Sequence, residues 1–526
     1  MKRYFKVIIM GLLMLGASCN SFLDMHPEDF LTPNQYFETA EQVNYALNGV
    51  YTTLGATALY GGHILGRYGL DADLGFSRWG NDIASVGDYN VVPTDVRILN
   101  YWETLYAGIN RANLLLENIG EANIDEHLKS TIIGEALFLR AYFYFMLTIR
   151  FGDVPLILHT AQAPSAEALQ IPAAKSKEIY DKVLLDMEEA SLLVRDVTDI
   201  AGGGRISKST VWGIMARVCL YMAGNPLNET SKYEDARKWA KMVIDEEHHE
   251  LNPSFQQVFM NYIRDIYDTT ESIWEVEFWG DGVGLYGGAS GLVGIHNGIA
   301  TTDDPEYGWS RGILCTTDFF YRLFETGDLR RDWTIAPYGF SGTPATINYW
   351  ATNRIYDRYC GKFRREHQLG PKEHPYTSIN YPILRFADVL LMFAEADVQV
   401  NGSPTPEAYE AINQVRRRGH GLAIHVENPT VDLQGLDAFS FMDELKDERA
   451  RELGFEALRK DDIIRWGEFL PRMKFVHQHV AGDGGTRNVL VRAKEYYDNA
   501  AARDVLWPIP NSELILNKEL VQNPGW

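Results

Sequence analysis

Apolar residues recur at spacings of three and four in two sets of segments, the first within residues 38–54 and 101–247 and the second within residues 385–470, and that period is helical. Residues 38–54 carry Ala40, Val43, Leu47, Val50 and Leu54, and residues 101–119 carry Trp102, Leu105, Ile109, Ala112, Leu116 and Ile119. Residues 127–150 make a long, strongly apolar helix that Gly152 and Pro155 end. Ser176 can cap a helix running to about Val194. Ser207 or Ser209 can cap one to Ala223, and residues 233–247 form the next. The second set opens with a helix from Arg385 to Gly402. Thr405-Pro406, a cap with proline at the first helical position, starts another to Arg418. Further helices are predicted at 441–458 and 461–470.

Ala216-Arg-Val-Cys-Leu-Tyr-Met-Ala-Gly224 and Ala394-Glu-Ala-Asp-Val-Gln-Val-Asn-Gly402 look like copies, each followed by another amphipathic helix. They resemble degenerate tetratricopeptide helix pairs without a clean 34-residue period; two ordinary buried helices would read the same way. Two regions lack helical pattern. Residues 55–98 hold Tyr60, Tyr68, Phe76, Trp79 and Tyr89. In residues 278–382, 19 of 105 residues are aromatic, against 12% for the whole chain. Loops this long usually carry function, and aromatic rings with Gly and Asn/Asp on irregular backbone suit a flat-faced polar ligand. Trp279 continues the strand-like run 273–278 and reads as core.

The formal net charge of −22 argues against a phosphate backbone as partner, so no nucleic acid is expected. At the amino terminus, Lys2, Arg3 and Lys6 precede an uncharged stretch from Val7 to Ser18, too short to span a bilayer and fitting a secretory signal. Its end, Leu15-Gly16-Ala17-Ser18-Cys19, resembles a lipobox, in which cleavage before Cys19 leaves that cysteine lipidated. An ordinary signal peptide with an incidental cysteine is the alternative. No later stretch reads as membrane-spanning, so the expected membrane contact is the lipid alone. Three cysteines remain, Cys219, Cys315 and Cys360, so at least one is free, and Cys219 reads as core.

Catalytic and cofactor motifs are mostly missing. Gly282-Val-Gly-Leu-Tyr-Gly287 has dinucleotide-loop spacing, but Gly288, Gly291, Gly294 and Gly298 follow where a helix would have to hold the pyrophosphate. Asp71/Asp73 and Asp303/Asp304 could serve a glycosidase only if two carboxyls faced each other across a cleft. Glu448–Arg451, Glu456–Lys460 and Arg459–Asp462 have the spacing of helix-surface ion pairs. No cofactor, metal site or enzymatic activity is expected.

Several motifs together resemble the SusD/RagB family of outer-membrane nutrient-binding lipoproteins. They include Trp102-x-x-Leu-Tyr-x-Gly-Ile-Asn-Arg-Ala-Asn113, Glu135-Ala-Leu-Phe-Leu-Arg-Ala-Tyr-Phe-Tyr-Phe145 with Phe151-Gly-Asp-Val-Pro-Leu156, and Tyr381-Pro-Ile-Leu-Arg-Phe-Ala-Asp388. Glu448-Arg-Ala-Arg-Glu-Leu-Gly-Phe-Glu456, Asp462-Ile-Ile-Arg-Trp-Gly467 and Leu506-Trp-Pro-Ile-Pro510 belong to the same set. The resemblance implies a mainly α fold: a signal peptide over 1–18, a lipidated tether over 19–33 and one domain over 34–526. A tetratricopeptide-like helix-pair scaffold would carry an irregular ligand-binding cap formed by loop 55–98 and insertion 278–382. It also implies a lipid-anchored protein on the outer face of the outer membrane. Such a protein binds oligosaccharide or polysaccharide, alters no bond in it, and passes it to a SusC-like TonB-dependent transporter. By analogy of region, the ligand contacts would include Asp73, Arg78, Trp79, Asn81, Tyr286, Tyr307, Trp309 and Trp350. A peptide-binding member of the family is the alternative, and a surface glycosidase a more distant one.

Overall fold

The computed structural model describes residues 37–79, 85–160, 167–200, 202–279, 290–302, 304–370, 372, 375–482 and 488–526. The predicted helices form, with shifts of a few residues: Ala40–Tyr51, Val96–Asn118, Glu126–Phe151, Ser176–Leu193, Lys208–Ala223, Lys232–Asp245, Phe386–Asn401 and Pro406–Gly419. From Val96–Asn118 onward each packs against the next, the nearest-neighbour stacking of a repeat scaffold. The two sequence copies, on Lys208–Ala223 and Phe386–Asn401, both pack against Lys232–Asp245. The chain between residues 246 and 385 is thus inserted between two helices that touch.

The caps explain most helix starts. Thr39 and Gln42 form a reciprocal capping box, the Asp125 carboxylate accepts from the Leu128 N–H, and Ser207 accepts from Thr210. Ser176 is a correction. It does not cap its helix but is the first helical residue, and its N–H and Oγ both donate to Asp153 Oδ1 at 2.8 Å. Asp153 sits in the Phe151-Gly-Asp-Val-Pro motif, so that motif supplies the cap from outside the helix.

Helix Glu126–Phe151 runs through the core, with Phe138, Leu139, Phe143 and Leu147 fully buried. It is long and apolar enough to cross a bilayer by length and composition, contrary to the sequence expectation, but 89% of its most apolar window is covered by the protein itself. Its polar residues are paired inside: Arg140 with Asp186 at 2.8 Å, and Glu135 with Arg205 at 2.9 Å and the Tyr51 hydroxyl at 2.5 Å. Cys219, Cys315 and Cys360 are all free and buried.

The region 438–465 departs most from its reading. In helices Ala438–Leu453 and Arg459–Arg465 the predicted pairs do not lie on the surface; their residues join a buried charge network. Glu448 does bond Arg451 at 3.0 Å, with both side chains inside. Glu456 goes to Lys362 and Arg385, Lys460 lies over the Tyr89 ring, and Arg459 goes to Asp73. Helical spacing allows a local pair; here partners from distant segments, already desolvated, win.

Candidate functional site

The two aromatic loops meet through a short antiparallel ladder, Gly75–Ser77 on Leu314–Thr316, extended by the Arg78 N–H donating to the Ile313 carbonyl at 2.9 Å. Cys315 also makes an isolated antiparallel bridge to Tyr359. Most of the first loop turns inward. Tyr60, Tyr68, Phe76 and Tyr89 are buried, and of its five predicted aromatics only Trp79 is exposed, at 46%. The chain 55–78 is therefore largely core, and the cap's open surface begins where the ladder ends.

There the Trp79 indole N–H donates to the Arg311 carbonyl at 3.2 Å, and the Arg311 guanidinium lies 5.9 Å from the ring centres of both Trp79 and Trp309. Two indoles from segments 230 residues apart in the chain thus flank one cation. Arg78, beside Trp79, donates to the Tyr359 hydroxyl and lies over that ring at 5.0 Å. Tyr359 in turn contacts Trp350, with centroids 6.4 Å apart. Trp350 is half-buried and lies across Gly339, where an added Cβ would sit 2.8 Å from the ring, so glycine is needed for that approach.

Tyr307 and Trp309 part company. The Asp304 carboxylate accepts from the backbone N–H groups of Glu306, Tyr307 and Ala345, which fixes the turn. Gly308 has φ +73°, and an added Cβ there would meet the Arg365 side chain at 2.7 Å. The Tyr307 ring then packs at a tilt on Phe340, centroids 4.7 Å apart, while Trp309 faces Arg311. Phe340 contacts Tyr338, and Tyr338 contacts Tyr349, each at 5.8 Å, along the hairpin Tyr338–Ser341/Thr346–Tyr349. Tyr349, 76% exposed, ends this row at the surface.

Asp73 is corrected: it is fully buried and both carboxylate oxygens accept from Arg459, at 2.8 and 2.9 Å, leaving nothing for a ligand. Trp279 is corrected the other way. Phe278 completes the core and Trp279, one residue later, is 61% exposed. Asn81, Tyr286, Cys19, Asp303 and the segment Gly282–Gly287 lie outside the described residues. Asp71 and Asp73 are buried and Asp304 is spent on backbone, so none of these three borders a cleft as a glycosidase carboxylate would. Among the described residues no cluster of His, Cys, Asp and Glu is suited to hold a metal ion.

A roomier cavity, about 900 Å³, lies elsewhere, between Tyr51, Arg195, Arg205, Tyr267, Glu275 and Glu277. Its charged groups serve each other: Arg205 and Arg195 go to Glu135, and Glu277 accepts from the Gly204 N–H at 2.8 Å. The aromatic face is the better candidate because Trp79 and Tyr349 are exposed on it, Trp309 and Arg311 are partly exposed, and Arg311 has no ion pair among the described residues.

Comparison with known proteins agrees with both halves of the architecture. Residues 336–526 match the SusD family, and residues 21–220 match a family described as starch-binding and associating with the outer membrane. The chain belongs to the SusD/RagB family. SusD-like protein P2 of Formosa agariphila is 26% identical over the full length of both chains. The starch-binding protein SusD of Bacteroides thetaiotaomicron is 24% identical over 100% of this chain and 99% of its own. The crystal structure of a SusD homolog from B. thetaiotaomicron superposes with a TM-score of 0.86 at 28% identity, covering 94% of this chain and 98% of that one. SusD-type proteins form a carbohydrate-binding family associated with the outer membrane, and the mainly α fold described above is theirs.

In this SusD-family chain, sequence reasoning missed Arg311, Tyr359, Phe340 and Tyr349. Arg311 stands two residues after Trp309, and that Trp-x-Arg spacing on a strand-like stretch was the one local signal. The others join the face only through the ladder and the hairpin.

Proposed function

We propose that this protein is a cell-surface lipoprotein, anchored through Cys19, that captures oligosaccharide or polysaccharide and hands it unaltered to a SusC-like TonB-dependent transporter. The observation that carries the glycan reading is the pair of indoles, Trp79 and Trp309, flanking Arg311 at the edge of an aromatic row. A sugar ring has an apolar C–H face and a rim of hydroxyls. Removing ~60 Å² of that face from water is worth roughly 1.5 kcal/mol. Two or three such contacts with hydrogen bonds from Arg78 and Arg311 would give about millimolar to micromolar affinity after binding costs. Weak capture suits a protein that releases its cargo to a channel. The family's starch-binding relatives support the same reading.

Calorimetry with a panel of oligosaccharides, followed by product analysis after long incubation, tests this. One glycan should bind and be recovered intact; shorter products would restore the glycosidase reading, and peptide binding in place of glycan the other alternative. Trp79→Ala and Trp309→Ala are each expected to weaken binding by about 1–2 kcal/mol, roughly five- to thirtyfold, with little change in melting temperature, since neither ring is fully buried. A variant that melts early but whose folded fraction binds normally would exclude that ring from the site.

The anchor has its own test. Cys19→Ala should abolish incorporation of a labelled fatty acid; equal labelling of parent and variant would contradict the anchor.

A further inference from the structure

The chain carries a net charge of −22, and most arginines inside it are spent on carboxylates, as with Arg330, Arg385, Arg418 and Arg465. The arginines of the aromatic face are not. Arg311 has no ion pair and no side-chain hydrogen bond among the described residues; two indole faces hold it instead. Arg78 meets the hydroxyl and ring of Tyr359 and the Cys315 thiol, and has no carboxylate partner among the described residues. A guanidinium held by ring faces keeps the N–H groups along its edge free to donate, and these match an oxyanion in fork geometry. Three nearby acids among the described residues are already occupied. Asp304 takes three backbone N–H groups, Asp357 takes two bonds from Arg354, and Glu366 takes the Tyr338 hydroxyl.

The positive field also reaches inward. Burial chiefly, and then Arg67, His63 and Arg311, hold the His296 imidazole down to about 3, against the opposing Gly62 carbonyl. His63 is likewise lowered to about 4, by burial and then by Arg97 and Arg67. Among the described residues, an acidic protein thus gathers positive charge without carboxylate partners at its aromatic face. A neutral sugar can accept hydrogen bonds from these guanidinium groups through its hydroxyls, but it leaves their charge uncompensated, whereas an oxyanion uses both.

We propose that the glycan taken by this face is acidic, carrying a carboxylate or a sulfate ester, with Arg311 and Arg78 holding the oxyanion while Trp79 and Trp309 cover the ring. The proposal rests on the glycan reading above and narrows it.

The test uses the full chain in mild detergent and calorimetry against polygalacturonate, alginate, chondroitin sulfate and carrageenan. Carboxyl-reduced polygalacturonate, desulfated carrageenan, and neutral laminarin and starch are the comparisons. At least one acidic polysaccharide should bind, its neutralised form about tenfold or more weaker, and raising salt from about 50 to 500 mM should weaken only the acidic ligand. Arg311→Gln should lose about tenfold on that ligand and most of the salt dependence at unchanged melting temperature, with Arg311→Lys in between. Uronate and sulfate arms separate the two oxyanions. Binding of neutral glycans at an affinity that Arg311→Gln leaves unchanged would overturn the acidic proposal and keep the glycan reading. Acidic binding indifferent to Arg311→Gln would overturn it as well. No binding to any polysaccharide would overturn both.

Discussion

Arg385→Ala is expected to destabilise the protein by about 3–5 kcal/mol, the usual cost of removing one partner from a buried ion pair. Arg385 is 1% exposed. Its guanidinium donates to Glu456 at 2.8 and 2.9 Å, to Glu271 at 2.9 Å and to Glu452 at 3.0 Å. It ties the strand Tyr381–Arg385 to the end of helix Ala438–Leu453. Without it three carboxylates remain inside, and only Lys362, Arg330 and Arg418 are left to share them. Arg385→Lys should recover part of the loss, because it restores the charge but not the fork. Arg385→Met should recover none, since an apolar side chain leaves the acids uncompensated. Denaturant midpoints measured on all three decide the matter; a parent-like midpoint for Arg385→Ala would show that the network does not depend on it.

Asp71→Asn should stabilise the protein, by about 2–4 kcal/mol at pH 8 and by progressively less toward pH 4. Asp71 is 2% exposed, one carboxyl oxygen has no hydrogen-bond partner, and burial pushes the group up to about 7, with Lys362 only partly opposing. The folded value lies above the ordinary carboxyl value. The parent's stability from this group is therefore fully present below about pH 4 and is lost as pH rises toward 7. At pH 8 the parent must bury a charge that the amide does not carry. Glu448 and Asp388 act in the opposite sense. Although burial opposes it, Arg330 and Arg451 hold Glu448 at about 2, and Arg449 and Arg217 hold Asp388 there. Their stabilisation is present above about pH 4.5 and disappears as pH falls toward 2, in parent and variant alike. Melting temperatures of the two proteins across pH 4–8 isolate Asp71; a constant difference would show that its carboxyl titrates normally.

Much of the scaffold was legible in the chain because it is local. Val43, Leu47 and Val50 lie one helical turn apart whatever surrounds them, Thr39 and Thr405 reach only their own first turns, and Pro406 stops nothing but an N–H that is unpaired anyway. The motifs that revealed the family were visible too. Their meaning was not: the acids of Glu448–Glu456 read as a solvated helix face because each has a helical-spaced partner, yet Arg330, Arg385 and Lys362 reach them from elsewhere in the chain.

The site divides in the same way. Sequence alone determined the helical scaffold and the two aromatic loops, since composition and period are properties of short windows. Only the tertiary structure decided which aromatics face out. Trp79 and Trp279 emerge while Tyr68 and Phe76 turn inward, because that choice depends on what each ring meets across the ladder Gly75–Ser77/Leu314–Thr316. It also decided that Asp73 belongs to Arg459 and that Arg311 stands between two indoles. Burial, charge pairing and ring contact are relations between segments hundreds of residues apart, and no spacing along one of them encodes the position of the other.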